Sequence, residues 1–239
     1  HPGAQDLIIS SKWGYTYTGG WSLDAETHEV KDHSPEAFDR QLAQSRALLG
    51  SHLDIYQVHS VTPDSPLFTD KTLQRRLASL AEQGVTVGIS TSGPRQADAI
   101  RAALDLSFDG EPLVQSVQAT WNVLEPSAGP ALAEAHGAGR RVIVKEAMAN
   151  GRLARPEPGT ALAEIAEEVS ASCDAVALAA ALRLPWADTV LSGAVTIGQL
   201  ASNLRATDIR LGHDQVERLA AMAEPAETYW AQRSRLPWS

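Results

Sequence analysis

Leu53-Asp54-Ile55-Tyr56-Gln57-Val58-His59 is a short apolar run that breaks off on a histidine. Its length, its β-branched content and its polar flanks are those of a strand buried on both faces. Runs of the same character stand at Leu7–Ser11, Val85–Ile89, Leu113–Val117, Val142–Val144 and Thr189–Leu191. Helical signals fill the intervals. Ser34-Pro35-Glu36 reads as an N-cap, a first-turn proline and an early acid; Phe38, Leu42 and Leu49 follow near one face, and Gly50 closes the segment. Asp70 caps a second helix in which Leu73, Leu77, Leu80 and Ala81 keep helical spacing up to Gly84. Pro94 opens a third, with Ala97, Ile100 and Leu104 inward, and further helices are expected over 127–136, 160–171, 174–183, 196–206 and 213–223.

Strand–helix alternation means parallel strands joined by right-handed crossovers. With no linker or composition break, residues 1–239 read as a single domain. Two α/β architectures compete: an open doubly wound sheet and a (β/α)8 barrel. A complete barrel needs eight strands and ~250 residues. Six strand–helix units in 239 residues leave the barrel two units short at the N-terminus. That is where the sequence opens on His1-Pro2-Gly3, without a Met.

Composition narrows the partners. Net charge is -9, so the chain lacks the basic footprint that nucleic acid or an anionic membrane surface requires. No apolar stretch approaches the ~20 residues that span a bilayer. The single cysteine, Cys173, excludes a disulfide framework and suits a reducing, cytoplasmic setting. The histidines lack metal-ligand spacing, so no metal site is expected. Gly88-Ile89-Ser90-Thr91-Ser92 misses the last glycine of a nucleophile elbow, and Gly137-Ala138-Gly139 precedes a strand instead of following one.

In a parallel barrel the active site lies at the C-terminal ends of the strands. Those positions are polar here: Lys12, His59, Ser90 with Thr91, Gln118, Lys145 with Glu146, and Ser192-Gly193. A lysine there can lower the pKa of a neighbouring acid, and a histidine can orient a carbonyl or pass a proton. Taken singly, a snorkelling lysine and a hydrogen-bonded core histidine are the blander accounts. Their occurrence at consecutive strand ends shifts the balance toward function. Gln118 can offer an amide and Ser90 a hydroxyl to a planar ligand, or simply satisfy strand-end backbone groups. Ser192-Gly193-Ala194 before a helix reaching Asn203 is a generic phosphate site and also an ordinary helix start. Trp13 and Trp121, just past strand ends, are candidates to line a pocket.

Taken in order, Ile8-Ile9-Ser10-Ser11-Lys12-Trp13-Gly14, the Leu53–His59 run, Gly88-Ile89-Ser90, Gln118 with Trp121-Asn122, and Ser192-Gly193-Ala194 with Asn203 resemble the aldo/keto reductases. The resemblance runs from about Leu7 to Leu219, and Leu-Asp-x-Tyr-x-x-His is its most specific piece. It implies a (β/α)8 TIM barrel that reduces an aldehyde or ketone to an alcohol with a nicotinamide cofactor, usually NADP(H), with NAD(H) as the alternative. It makes Lys12 and His59 the catalytic lysine and histidine. Ser90, Thr91 and Gln118 fall where the nicotinamide is held; Ser192, Gly193, Ala194, Gln199 and Asn203 fall where the adenosine end is held. In such enzymes the cofactor delivers hydride to the carbonyl carbon, and a tyrosine tuned by Lys and Asp protonates the oxygen.

Three positions depart from the pattern. The family's Asp and Tyr precede the lysine, so an N-terminal segment of roughly 60 residues carrying the first two strands is expected outside this sequence. Lys145 stands where an aromatic residue often stacks on the nicotinamide, and Gln199 where many members place a cation for the 2′-phosphate. A non-catalytic cofactor-binding or regulatory protein is the alternative reading. Tyr15 or Tyr17 could also stand in for the missing acid, although a surface tyrosine is the blander account. The partner expected is a small carbonyl compound, with neither nucleic acid nor membrane. Specificity falls to the loops 13–33 and 60–69 and to a C-terminal tail, residues 224–239, near the barrel mouth. Their Tyr15, Tyr17, Trp21, Tyr229, Trp230 and Trp238 suggest an apolar or aromatic substrate.

Overall fold

A computed structural model describes residues 7–20, 22 and 24–236; His1-Pro2-Gly3, Trp21 and Trp238 lie outside the described residues. Contacts divide the chain into two compact units. The first holds the described residues up to Val117 with Ala138–Arg140; the second holds Gln118–Gly137 and Arg141–Leu236.

In the first unit, β1 (Ser10–Trp13) is followed by a hairpin of β2 (Tyr15–Tyr17) and β3 (Glu29–Lys31), then α1 (Pro35–Leu49) and β4 (Ile55–Val61). Next come α2 (Lys71–Glu82), β5 (Thr86–Thr91), α3 (Gln96–Leu104) and a small hairpin of β6 (Ser107–Phe108) and β7 (Glu111–Pro112). β1 pairs with β4 and β4 with β5, all parallel. The strand β8 (Ser116–Thr120) straddles the division. The second unit continues with α4 (Gly129–Gly137), β9 (Arg141–Lys145), α5 (Ala161–Glu168), α6 (Cys173–Leu182), β10 (Thr189–Val190), α7 (Ile197–Leu204), α8 (His213–Ala220) and α9 (Ala226–Arg233).

The six-stranded sheet is hydrogen-bonded in the order β1-β4-β5-β8-β9-β10, which is chain order. A doubly wound sheet reverses its order at a switch point. Here each new strand is added on the same side, as in a singly wound barrel, which decides between the two expected architectures.

The capping signals hold. The Ser34 side chain accepts from the Ala37 N–H, Asp70 from Thr72 and Leu73, and Gly50 ends α1. Leu73, Leu77 and Leu80 of α2 are buried against the sheet. The second unit has its own core, in which Leu162, Ile165, Val176, Ala177, Leu219 and Tyr229 meet.

Four expectations need correction. β1, β4, β5 and β8 run two or three residues further toward their C-termini than the apolar runs, so Lys12, His59, Ser90, Thr91 and Gln118 lie within strands. Apolar-run reading stops where inward side chains turn polar, although the backbone ladder continues. The third helix begins at Gln96, and its buried face is Gln96, Ala99, Ile100 and Ala103; Ala97 and Leu104 are only half-buried. The loop 13–33 holds the β2–β3 hairpin. The stretch read as a tail contains α9, whose Tyr229 and Trp230 are buried. Both were missed because three-residue strands and a helix with two aromatic anchors lack a readable period.

Candidate active site

Lys12 stands in register with Gln57 on the neighbouring strand. Alternation along β4 turns His59 to the side that Gln57 and Lys12 occupy. The Lys12 side chain keeps solvent exposure, yet the protein packed around it displaces enough water to lower its pKa from the ordinary lysine value. Trp13, one residue on, faces the other way. It is 1% exposed and packs edge-on against Phe38 and beside His33. Its expected role in lining a substrate pocket gives way to core packing, because neighbouring residues on a strand take opposite faces.

β4 breaks register with β5 between Val58 and Val61. Ser60 has φ 55 there, and its N–H donates to the Ser90 hydroxyl oxygen at 3.0 Å. Lys31 donates to the Ser60 carbonyl at 2.7 Å. The bulge presents His59 at the end of the strand. Ser90, fully buried, therefore accepts a bond from the chain and retains its O–H as a donor. Thr91 hydroxyl bonds the Gln96 side chain at 3.4 Å, which ties the strand end to α3.

A second histidine, unremarked by sequence reasoning, supports the first. His33 is 4% exposed. Its Nε2 lies 2.8 Å from the His59 carbonyl oxygen, and its Nδ1 lies 2.9 Å from the Ser65 hydroxyl. A carbonyl only accepts, so Nε2 carries the hydrogen and Nδ1 accepts from Ser65. Burial pushes its pKa down to about 4. The unfolded histidine titrates near 6.5. Stability contributed by neutral His33 is therefore complete above pH 6.5 and is lost as pH falls to about 4, where the loss reaches roughly 3 kcal/mol. Denaturation midpoints between pH 7 and pH 4.5 should fall more steeply for the unaltered protein than for His33→Gln; equal slopes would show that His33 is not the linked group.

Tyr15 packs edge-on against the His59 ring, with centroids 5.0 Å apart. It is half-buried, so it is no simple surface tyrosine, whereas Tyr17 is 37% exposed. A cleft of the first unit lies elsewhere. Its volume is about 360 Å³, and it is lined by Ala78, Glu82, Phe108, Asp109 and Arg140, near the N-terminal ends of the strands.

In the second unit Gln118 is 3% exposed on β8. Trp121 is half-buried and meets Trp186 edge-on at 6.0 Å. It lines an apolar pocket of about 110 Å³ with Val123, Pro126, Ala180 and Val216, too small for a typical organic ligand.

Lys145 ends β9, and Glu146 follows at φ 56. Burial alone would raise the Glu146 carboxyl. Hydrogen bonds from Arg233, the Lys145 charge 4.0 Å away and the Thr120 hydroxyl outweigh it and hold the pKa below the ordinary value. Arg233 of α9 donates to both carboxylate oxygens, at 3.1 and 2.7 Å. Asn122 donates to the Glu146 carbonyl and to the Tyr229 hydroxyl, both at 3.0 Å. So α9 fastens the segment that presents Lys145. No sequence signal marked Glu146 and Arg233 as partners, because they are 87 residues apart.

Ser192, Gly193 and Ala194 precede α7. Asn203 is 6% exposed, and its Nδ2 donates to the Ser192 carbonyl at 3.0 Å. Among the described residues its Oδ1 has no hydrogen-bond partner. A buried acceptor left open suits a ring or exocyclic N–H of a nucleobase, so this segment fits the adenosine end of a dinucleotide. Gln199, by contrast, is built into the capping box of α7.

Comparison with known proteins follows the same lines. The model of the aldo/keto reductase family matches residues 2–224. An aldo-keto reductase from Bacillus halodurans, in its holo form, superposes with a TM-score of 0.72 at 22% identity over 95% of this chain and 76% of that one. Aldose reductase from Giardia lamblia gives 0.66 at 18% identity, over 91% and 72%. Among curated proteins no relative matches. Among the described residues no helix is long and apolar enough to cross a membrane.

Proposed function

The chain belongs to the aldo/keto reductase family and has its barrel-type fold, and from that premise we propose that it reduces an aldehyde or ketone to the alcohol. NADP(H) is the cofactor that the family resemblance implies, and NAD(H) is the alternative. The dinucleotide, when bound, supplies the hydride. The observation that carries the reading is the placement of Lys12 and His59 on one side of two neighbouring parallel strands, at the end where barrel enzymes work.

His59 would hydrogen-bond the carbonyl oxygen and polarise it, and the Lys12 charge would stabilise the negative charge that develops there as the carbon takes the hydride. The proton that completes the alcohol would come from the tyrosine that the resemblance expects ahead of Lys12. The bond from His33 to the His59 backbone would steady the direction from which His59 acts. Ser90 and Gln118 would hold the nicotinamide carboxamide, and Ser192, Gly193, Ala194 and Asn203 the adenosine end. Tyr15, edge-on to His59, would form one wall of the substrate site. Lys145 in place of an aromatic residue favours the alternative of a non-catalytic binding protein, which predicts cofactor binding without turnover.

The test is oxidation of reduced nicotinamide, followed by absorbance at high enzyme concentration, with a panel of aldehydes and ketones. Saturable turnover is expected; cofactor binding with no turnover on any carbonyl would leave the binding-protein reading. Tyr15→Phe keeps the ring edge and should change kcat/KM by less than about threefold, whereas Tyr15→Ala should lower it about tenfold by loosening His59. If Tyr15→Phe abolishes turnover, the hydroxyl and not the ring is at work, and Tyr15 is the proton donor.

A further inference from the structure

The open Oδ1 of Asn203 marks where a base would dock, and the polar groups around it show what the attached ribose can carry. The start of α7 is closed on itself. Gln199 Oε1 accepts from the Val195 and Thr196 N–H groups at 2.9 and 3.1 Å, and Thr196 Oγ1 accepts from the Gln199 N–H at 3.1 Å. Ser192 Oγ accepts from the Ala194 N–H at 3.4 Å. The amides of Ala194, Val195, Thr196 and Gln199 at this helix start are thus engaged within the chain.

The sequence around α7 offers few compensating cations. No Lys or Arg occurs between Arg183 and Arg205, and Arg205 is turned to the Ser170 carbonyl. On the flank of α7 the Asp174 carboxylate accepts from the Ser202 hydroxyl at 3.1 Å. A phosphate monoester carries nearly two negative charges at neutral pH and is held by charge-assisted bonds from cations or free amides. A neutral ribose hydroxyl needs neither.

We propose that the dinucleotide this segment accepts is the unphosphorylated one, NAD(H), and that the self-capped, cation-free start of α7, with Gln199 at its centre, excludes the 2′-phosphate of NADP(H). The proposal rests on the oxidoreductase reading and specifies its cofactor. It concerns binding, so it can be tested without turnover.

The full chain is titrated with NAD⁺ and with NADP⁺, followed by tryptophan fluorescence or calorimetry. NAD⁺ is expected to bind roughly 10- to 100-fold more tightly, the range set by one missing charge-assisted hydrogen bond. Val195→Arg adds a cation at a residue 85% exposed and leaves the capping box intact; it should strengthen NADP⁺ binding by about tenfold with little change for NAD⁺. Gln199→Arg should shift the ratio the same way, with a thermal melt to confirm that the recapped helix still folds. Equal or tighter binding of NADP⁺ by the unaltered chain would overturn the proposal while leaving the oxidoreductase reading intact. Binding of neither dinucleotide by folded protein would remove both.

Discussion

His59→Ala is expected to lower kcat/KM for carbonyl reduction by about 10²- to 10⁴-fold, with the dinucleotide affinity changed by less than about threefold, since the proposed cofactor contacts lie on other residues. The imidazole is the group proposed to bond the carbonyl oxygen. Its loss removes an interaction that strengthens as negative charge gathers on that oxygen, so the effect falls on kcat as much as on KM. Lys12→Met keeps the length of the side chain and deletes its charge, and a drop of similar order is expected. The two losses should combine to less than their product, because both act on the same oxygen. Full additivity would mean separate roles, and a wild-type rate in either variant would remove that residue from the site. Circular dichroism and melting curves separate the loss of the Lys12 charge from a loss of fold.

Gly14→Ala is expected to destabilise the fold by about 3–5 kcal/mol and to lower activity with it. Gly14 has φ +116, a conformation that costs any side chain, and an added Cβ would lie 2.7 Å from His33 Cδ2 and 2.8 Å from Nε2. The ring cannot move aside. It is clasped between the Ser65 hydroxyl and the His59 carbonyl and lies beside Trp13. Gly14 itself is pinned, its N–H donating to Gln41 at 2.9 Å and its carbonyl accepting from the Asp32 N–H at 2.9 Å. The clash is therefore relieved by displacing His33, which frees the His59 backbone and also weakens the acid-linked loss of stability tied to His33. Gly93→Ala is the comparison: φ +89 with nothing within 4 Å of the added atom, so it carries backbone strain alone, about 1–2 kcal/mol. Chemical denaturation of the two variants separates strain from steric conflict. Equal losses would show that His33 yields.

Much of this arrangement was legible in the amino acids. Ser34, Asp70 and Gly50 act where their chemistry said they would, since a cap is a bond between near neighbours in the chain. The polar strand ends pointed to Lys12, His59, Ser90 and Gln118 for the same reason: a polar residue closing an apolar run is a local anomaly. Trp13 was misread because a residue beside a site in sequence lies across the strand from it in space. The bulge at Ser60 left no trace in composition. It depends on a buried hydroxyl 30 residues away.

The order of strands and helices, their caps and the candidate catalytic pair were determined by the sequence itself, because periodicity, capping and residue chemistry act over a few residues. Tertiary structure alone decided how those groups are held. His33 reaches the His59 carbonyl across 26 residues, Arg233 reaches Glu146 across 87, and Asn203 reaches Ser192 around a helix. None of these partners is specified by its neighbours in the chain. Each exists because parallel strands laid side by side bring distant segments within hydrogen-bond distance, where a buried polar group must find a partner or bind one from outside.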